Sequence, residues 1–336
     1  MSFKFFKTIM FNSHTAFPEI PRIDVHSHLG NNLGVIPICL KIRELVKEIY
    51  SADIAMWINV GRGKEIIENP EEIERVSQYR ILSCISDYEI QGGSLYPSYK
   101  ELPQWKSRGI AGYKIWIPSE KGPYIDNYEN TLTLSKMEEL NIPAASVHIA
   151  DPYGTYGKRM KWFDRPAEYW RQILSWRTVL EKHPKLISVC AHMMWLCGSD
   201  DQLDFLRYML DTFPNLFVDL AATFQYFHLI QYDNLREFMI EYSDRILFGT
   251  DINIEVADNR SIKEYAKRYK RCFLILETAK VIRGTFHSRN KIRGLALPEE
   301  VLENIYYKNA IKIYPRLKTG LRKMGYAIDQ KMQLAR

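Results

Sequence analysis

The sequence predicts an α/β fold, a (β/α)8 TIM barrel in one domain, on three observations. Short runs rich in Val, Ile, Leu and Ala begin at residues 23, 52, 81, 110, 143, 186, 216 and 245, spaced 29 to 33 residues apart except for one gap of 43. Segments with apolar residues three and four apart, the helical period, lie between them. No G-x-G-x-x-G follows the first run, which removes the signature of an open dinucleotide-binding sheet built from the same units. Strand, helix, strand at about thirty residues per unit, eight times over, closes most simply into a barrel.

In chain order the strands are IDVHSHL from 23, ADIAMWINV from 52, ILSCISDY from 81, IAGYKIWIP from 110, PAASVHIA from 143, LISVCAHMM from 186, LFVDLAATF from 216 and RILFGTDIN from 245. Helices are expected within 67 to 79, over YWRQILSWRTVLEKH, over DDQLDFLRYMLDTFP and over NLREFMIEYS. After the eighth strand, a basic stretch from Ile262 to Arg283 and LPEEVLENIYYKNAIKIYP supply the closing helices of the same domain. The expected organisation is an N-terminal extension over 1–21, a barrel over 22–314 and a C-terminal tail over 315–336. The 336 residues accommodate such a barrel, which needs roughly 250.

Composition narrows the class of function. With 46% hydrophobic and 26% charged residues and no low-complexity tract, the chain reads as soluble and globular. Cys39, Cys84, Cys190, Cys197 and Cys272 are odd in number and lack C-x-x-C spacing, which argues against a disulfide framework or zinc ribbon and points to a cytoplasmic protein. At the N-terminus, MSFKFFKTIMFNSHTAF resembles a signal peptide in flavour. Lys7 breaks its apolar run and no A-x-A-like site follows, so it reads as mature chain. No uncharged run, Leu186 to Ser199 included, reaches the ~18 residues of a spanning helix. A net charge of +6 is spread along the chain without a basic, aromatic-laced patch, so neither nucleic acid nor membrane is expected as a partner. A small-molecule substrate is expected, the charge suits an anionic one, and a homo-oligomer remains open.

Catalytic groups of a barrel sit where its strands end. His26 and His28 end the first strand, His148 the fifth, His192 the sixth and Asp251 the eighth. Side chains alternate along a strand, so His26 and His28 share a face and can grip one divalent ion from one rigid element. Any one of these histidines alone reads more simply as a core or surface residue. Four of them with a carboxylate, all at one end of different strands, suit zinc, iron or manganese with an open position for water. His183 precedes strand six at the opposite end, and His14, His228 and His287 lie in or near connections, so none is given a role.

IDVHSHL, VHIAD, CAHMM, FGTD and the closing LPEEVLENIYYKNAIKIY, in that order and placement, resemble the amidohydrolase superfamily, in particular its amidohydrolase-2 branch, over roughly residues 22 to 314. The resemblance implies a metal-dependent barrel whose members hydrolyse amides, lactones and related bonds, while some relatives decarboxylate aromatic or unsaturated acids. It implies His26, His28, His148 and Asp251 as metal ligands, and His192 as a ligand to a second metal or as an acid/base. Zinc is the expected ion, one or two. A metal-dependent hydrolase of a small, carboxylate-bearing substrate is the leading expectation, with Asp251 and His192 as the catalytic pair. The alternative is a non-oxidative decarboxylase. A metal-dependent nuclease barrel is disfavoured because Gly249-Thr250 stands where such enzymes carry a glutamate before the last aspartate. A barrel without catalysis is disfavoured because all five site residues are present.

Lys114, at the end of strand four, carries three readings: a carboxylated bridge between two metals, a cation for a substrate carboxylate, or a buried lysine paired with a structural acid such as Asp24. Each keeps it facing the pore, with a single-metal arrangement slightly favoured. Trp116 shares its face. The segment 151–166 combines Tyr153 and Arg159 with further cations and aromatics and could wall in a small planar acid, or simply cap the barrel. Trp57 and Trp195 could extend that wall or belong to the core.

Overall fold

In the computed structural model, which describes residues 16–29, 53–61, 69–86, 95–116, 124–149, 166–254, 262–283 and 290–328, each of the eight apolar runs holds a strand. These are β1 Ile23–Leu29, β2 Met56–Asn59, β3 Ile81–Ser83, β4 Ile85–Ser86, β5 Tyr113–Trp116, β6 Ala144–His148, β7 Ser188–Cys190, β8 Leu216–Asp219, β9 Ile246–Leu247 and β10 Ile252–Ile254. Four of them are halves of two barrel strands: β3 and β4 are separated only by Cys84, and β9 and β10 by residues 248–251. All pair in parallel, in two arcs ordered β10-β1-β2-β3 and β4-β5-β6-β7-β8-β9.

The split strands join the arcs. Cys84 N donates to Asn59 O at 2.9 Å while the next residue, Ile85, donates to Gly112 O at 3.0 Å, so the third strand bonds to both neighbours. In the eighth, Leu220 N reaches Leu247 O at 3.1 Å on one side, and Val25 N reaches Phe248 O at 3.0 Å and Asp251 N reaches His26 O at 2.8 Å on the other. Main-chain hydrogen bonding therefore runs the full circle, and the fold is a TIM barrel. Strands covered on both faces require nearly continuous apolar sequence, which is why Ile23, Val25, Met56, Ile58, Ile115, Val147, Val189 and Val218 are all fully buried.

Helices follow the strands: α1 Pro70–Val76, α2 Leu102–Ser107, α3 Tyr128–Glu139, α4 Pro166–Lys182, α5 Asp200–Thr212, α6 Tyr232–Glu241 and α7 Ile262–Glu277. Two have side-chain caps. Asn127 Oδ1 accepts from Asn130 N at 2.9 Å before α3, and Ser199 Oγ from Gln202 N at 3.3 Å before α5. After α7 come a hairpin, β11 Val281–Arg283 with β12 Lys291–Arg293, and the closing helices α8 Glu299–Glu303, α9 Asn309–Ile313 and α10 Leu317–Lys323. Packing on the barrel continues past residue 314, since Leu317 and Leu321 of α10 are fully buried. A Cβ on Gly320 would stand 2.4 Å from Tyr79 O, so only glycine lets α10 sit this close. Cys84, Cys190, Cys197 and Cys272 are buried and free, and Cys39 lies outside the described residues. No helix among the described residues is long and apolar enough to cross a membrane.

The end where the strands begin is closed by a buried ion pair. Arg22, just before β1, donates to Glu277 Oε1 at 2.8 Å and to Phe17 O at 3.0 Å, and its guanidinium lies 4.7 Å from the Phe273 ring and 5.0 Å from the Tyr306 ring. Tyr306 OH donates to the same Glu277 oxygen at 2.9 Å, and Ala16 N to the other at 2.8 Å.

Candidate metal centre at the barrel mouth

β1 carries both histidines on one face, as its alternation predicts. His28 Nδ1 donates to Gly61 O at 2.7 Å, and His26 Nδ1 donates to Asp219 Oδ2 at 2.8 Å. A carbonyl and an ionised carboxylate only accept, so each imidazole holds a proton on Nδ1 and, when neutral, turns a lone pair outward on Nε2. Those two Nε2 atoms converge on Asp251 Oδ1, from 3.0 Å for His28 and 3.6 Å for His26. Acceptors this close require a positive charge between them, either a proton or a metal cation. His26 Nε2 is buried and has no hydrogen-bond partner among the described residues, a situation that costs about 1–3 kcal/mol unless a ligand relieves it. Potential ligand atoms of His26, His28 and Asp251 all lie within 4.8 Å of one another. The donor set and its open valence fit a divalent cation.

Asp251 is delivered by a turn rather than by strand pleating, which corrects its placement at a strand end. β9 stops at Leu247 and Asp251 has φ 60°, a left-handed conformation. The turn is pinned by Asp24, whose carboxylate accepts from Thr250 N at 3.2 Å, Thr250 Oγ1 at 2.5 Å, Tyr269 OH at 2.7 Å and His26 N at 3.1 Å. Burial pushes Asp24 up to about 6 against the pull of these bonds. For Asp251 the balance is opposite. Burial raises it, but the hydrogen bond from His28 and the charges of His26, His28 and His192 hold it well below the usual carboxylate range.

His192 also departs from the expected register. β7 ends at Cys190, and His192, Met193, Met194 and Trp195 have φ of 59, 52, 55 and 57°, a left-handed turn made without glycine. Each such residue costs roughly 1–2 kcal/mol, which marks the segment as one the surrounding structure enforces. Its first peptide N–H, on His192, donates to Asp219 Oδ1 at 2.9 Å, and the ring Nδ1 donates to Ala221 O at 2.8 Å. His192 Nε2 is thereby left to accept from His148 Nδ1, 3.0 Å away. Trp195 stacks on His192 at 4.4 Å and 24°. Burial, with His148 and His26 adding to it, pushes His192 down to about 3, so it is neutral at pH 7. His148 ends β6 as expected, with its ring 4.9 Å from that of Trp116, but belongs to neither three-residue group of potential ligands.

Asp219 is the site residue that sequence reasoning missed. It ends β8, is fully buried, and accepts from His26 Nδ1, His192 N and, at 3.0 Å, Ala221 N. A carboxylate closing the otherwise apolar LFVD was the readable signal. Burial would raise it, but the His26 imidazole and then His192 hold it below its ordinary value. His26, His192 and Asp219 form a second group of adequate spacing. With three N–H groups already on its two oxygens, Asp219 suits holding ligands in place better than being one.

Lys114 is buried, as expected of a pore-facing residue, but one layer deeper than the strand end. β5 ends at Trp116, which pairs with His148, whereas Lys114 pairs with Ser146 and donates from Nζ to its Oγ at 2.8 Å. Trp116 is 40% exposed and stands at the rim, while Trp57 and Trp195 are buried. Tyr153 and Arg159, with residues 151–165, lie outside the described residues, as do His14 and His287. His183 sits away from the centre, 3.5 Å from Glu138 Oε2, and His228 donates to Gln225 O at 2.9 Å.

Comparison with known proteins bears on the same residues. The Amidohydro_2 family model, described as amidohydrolase, matches residues 80–316. The chain belongs to this amidohydrolase family. The match begins after β2, so His26 and His28 join the family's portion through the fold. No curated protein matches the chain. Among solved structures, this chain is similar to an uncharacterised TIM-barrel protein from Bordetella bronchiseptica (15% identity, TM-score 0.56, 89% of this chain and 99% of that one). It is also similar to 4-oxalomesaconate hydratase from Rhodopseudomonas palustris (13%, 0.55, 90% and 98%) and to 2,6-dihydroxybenzoate decarboxylase from Rhizobium (14%, 0.50, 88% and 98%). At these identities the likeness is one of fold.

Proposed function

We propose that this protein is a metal-dependent hydrolase of a small, carboxylate-bearing organic substrate. The observation that carries the reading is the convergence of His26 Nε2, His28 Nε2 and Asp251 Oδ1, with both imidazoles anchored through Nδ1. These three hold a divalent ion, zinc being the favoured one, and His148, at the end of β6 across the barrel, is the fourth candidate ligand. When bound, such an ion polarises a substrate carbonyl and brings the pKa of its water to about 7. Asp251 stays ionised, so its second oxygen can accept a proton as the bond to the substrate forms. His192 enters neutral, and its Nε2 must take up the proton that it then hands to the leaving group. The rings of Trp195 and His148 shield His192 from water, and Trp116 is offered to the substrate from the rim end of β5, with Lys114 a layer below it on Ser146.

A second reading, non-oxidative decarboxylation, is favoured by the flat aromatic surface of Trp116 at the rim, which suits a planar acid. Here His192 would return its proton to a substrate carbon. Metal analysis of the purified protein, followed by a screen of lactones, amides and aromatic carboxylic acids, tests both readings. Turnover without carbon dioxide supports hydrolysis, stoichiometric carbon dioxide supports decarboxylation, and metal-free protein inactive on all of them contradicts both.

A further inference from the structure

His26 and Asp219 come from β1 and β8, which are not neighbours: the eighth barrel strand lies between them, bonded to β8 through β9 and to β1 through β10. Their 2.8 Å contact is made across that strand at Gly249. A Cβ there would stand 3.0 Å from His26 Cβ and 3.4 Å from the Cβ atoms of Asp219 and Ala221, so a side chain at this position would crowd His26 and press on the pair by a few tenths of an ångström. Asp219 reaches across with one oxygen to the His26 ring. With the other it receives His192 N and Ala221 N, fixing the first peptide of the left-handed turn.

We propose that Asp219 is a positioning residue that acts through His26, keeping the imidazole proton on Nδ1 so that the Nε2 lone pair is aimed at the metal position beside Asp251. The proposal rests on the metal reading above. The chemistry is specific to a carboxylate. An asparagine keeps the shape and can still accept both peptide N–H groups through its oxygen, but it turns an N–H toward His26 Nδ1. The ring then accepts there, carries its proton on Nε2, and loses the lone pair that would bind a cation. Partners in this outer position typically govern metal affinity by 10- to 100-fold.

The test compares wild-type protein with Asp219→Asn and Gly249→Ala by Zn2+ titration against a competing chelator, thermal unfolding of the metal-free forms, and nitrogen NMR of histidine-labelled protein. Asp219→Asn should bind Zn2+ about 10- to 100-fold more weakly while its metal-free melting temperature stays within a few degrees of wild type, and its His26 signal should move from the Nδ1–H to the Nε2–H pattern. Gly249→Ala should weaken Zn2+ binding in the same direction by prising the pair apart. In a His26→Ala background, Asp219→Asn should cause no further loss of residual affinity. Unchanged Zn2+ affinity in Asp219→Asn, an unchanged His26 proton position, or an equal loss in the His26→Ala background would overturn the proposal. Wild-type protein that binds no Zn2+ would overturn the metal reading itself, whereas the NMR comparison on metal-free protein judges Asp219 separately.

Discussion

Where the strands begin, Arg22 meets Glu277 at 2.8 Å, Tyr306 and Ala16 take up the remaining valences of that carboxylate, and aromatic rings cover the guanidinium. Where the strands finish, an equally buried polar cluster stops short of completion: His26 Nε2 has no hydrogen-bond partner among the described residues, and His28 Nε2 faces a carboxylate that can only accept. The backbone does not make the difference: His192 to Trp195, Ala222 and Asp251 adopt left-handed φ near the mouth, and Asp53, Gln78, Tyr79 and Asn141 do so just before β2, β3 and β6. At one end both oxygens of the Glu277 carboxylate are bonded and only Arg22 Nε of the cluster is left over, whereas at the mouth the open atom is an imidazole nitrogen beside a carboxylate, which is what a metal centre looks like before its ligand arrives.

The contrast breaks most visibly at the mouth. Replacing His26 or Asp251 by alanine should strip the metal and lower turnover by ~10³-fold or more. Metal content by elemental analysis, measured beside initial rates, checks this, and full metal occupancy in either variant would remove that residue from the centre. At the other end, Glu277→Ala should leave Arg22 buried and unpaired and cost about 3–5 kcal/mol in urea unfolding, with Zn2+ affinity of the folded molecules unchanged. If that cut also empties the mouth, the two ends are not independent.

The pH dependence sharpens the comparison further. His192 has its folded value pushed down to about 3 from an ordinary 6.5, so the unfolded chain binds the extra proton between those limits. Its contribution to stability is present above about 6.5 and is lost as pH falls toward about 3, with a slope of at most ~1.4 kcal/mol per pH unit. Asp24 works in the opposite sense: raised from 3.8 to about 6, it contributes most below 3.8 and loses that contribution as pH rises through 6. The wild-type, metal-free profile should therefore be flattened where the windows overlap. His192→Asn should gain stability relative to wild type as pH falls below 6.5. A pH-independent difference between the two, measured by denaturant titration, would mean that His192 is not buried as a neutral ring. The smallest effect is expected at His183, where the contact to Glu138 is 3.5 Å and far from the mouth; His183→Ala should cost about 0.5–1.5 kcal/mol and leave metal content untouched.

Much of the barrel was legible because its strands are buried on both faces and so announce themselves as apolar runs, as Met56–Asn59 and Ala144–His148 do. His26 and His28 were legible for a related reason, since both lie within one strand; its pairing with β2 slips between Asp24 and Ser27, yet the two imidazoles still converge on Asp251. His192 and Asp251 were correctly grouped but wrongly registered. Their positions depend on left-handed turns, and the first, over His-Met-Met-Trp, contains no glycine or asparagine to advertise it. Asp219 escaped because its partners lie 193 and 27 residues away in the chain, so the one local signal, a carboxylate closing an apolar strand, does not say what it binds. Lys114 was placed on the right face but in the wrong layer, because the last residue of a strand is set by its neighbours' register and not by its own pattern.

The central claim is that one divalent ion sits between β1 and the Asp251 turn. A crystal structure of the protein grown with Zn2+, with anomalous differences collected on both sides of the zinc edge, tests it most directly. The expected result is a single anomalous peak within about 2.0–2.2 Å of His26 Nε2, His28 Nε2 and an Asp251 oxygen, with Lys114 still on Ser146. A peak on His192 and Asp219 instead, a pair of peaks bridged through Lys114, or no peak at the mouth would contradict it.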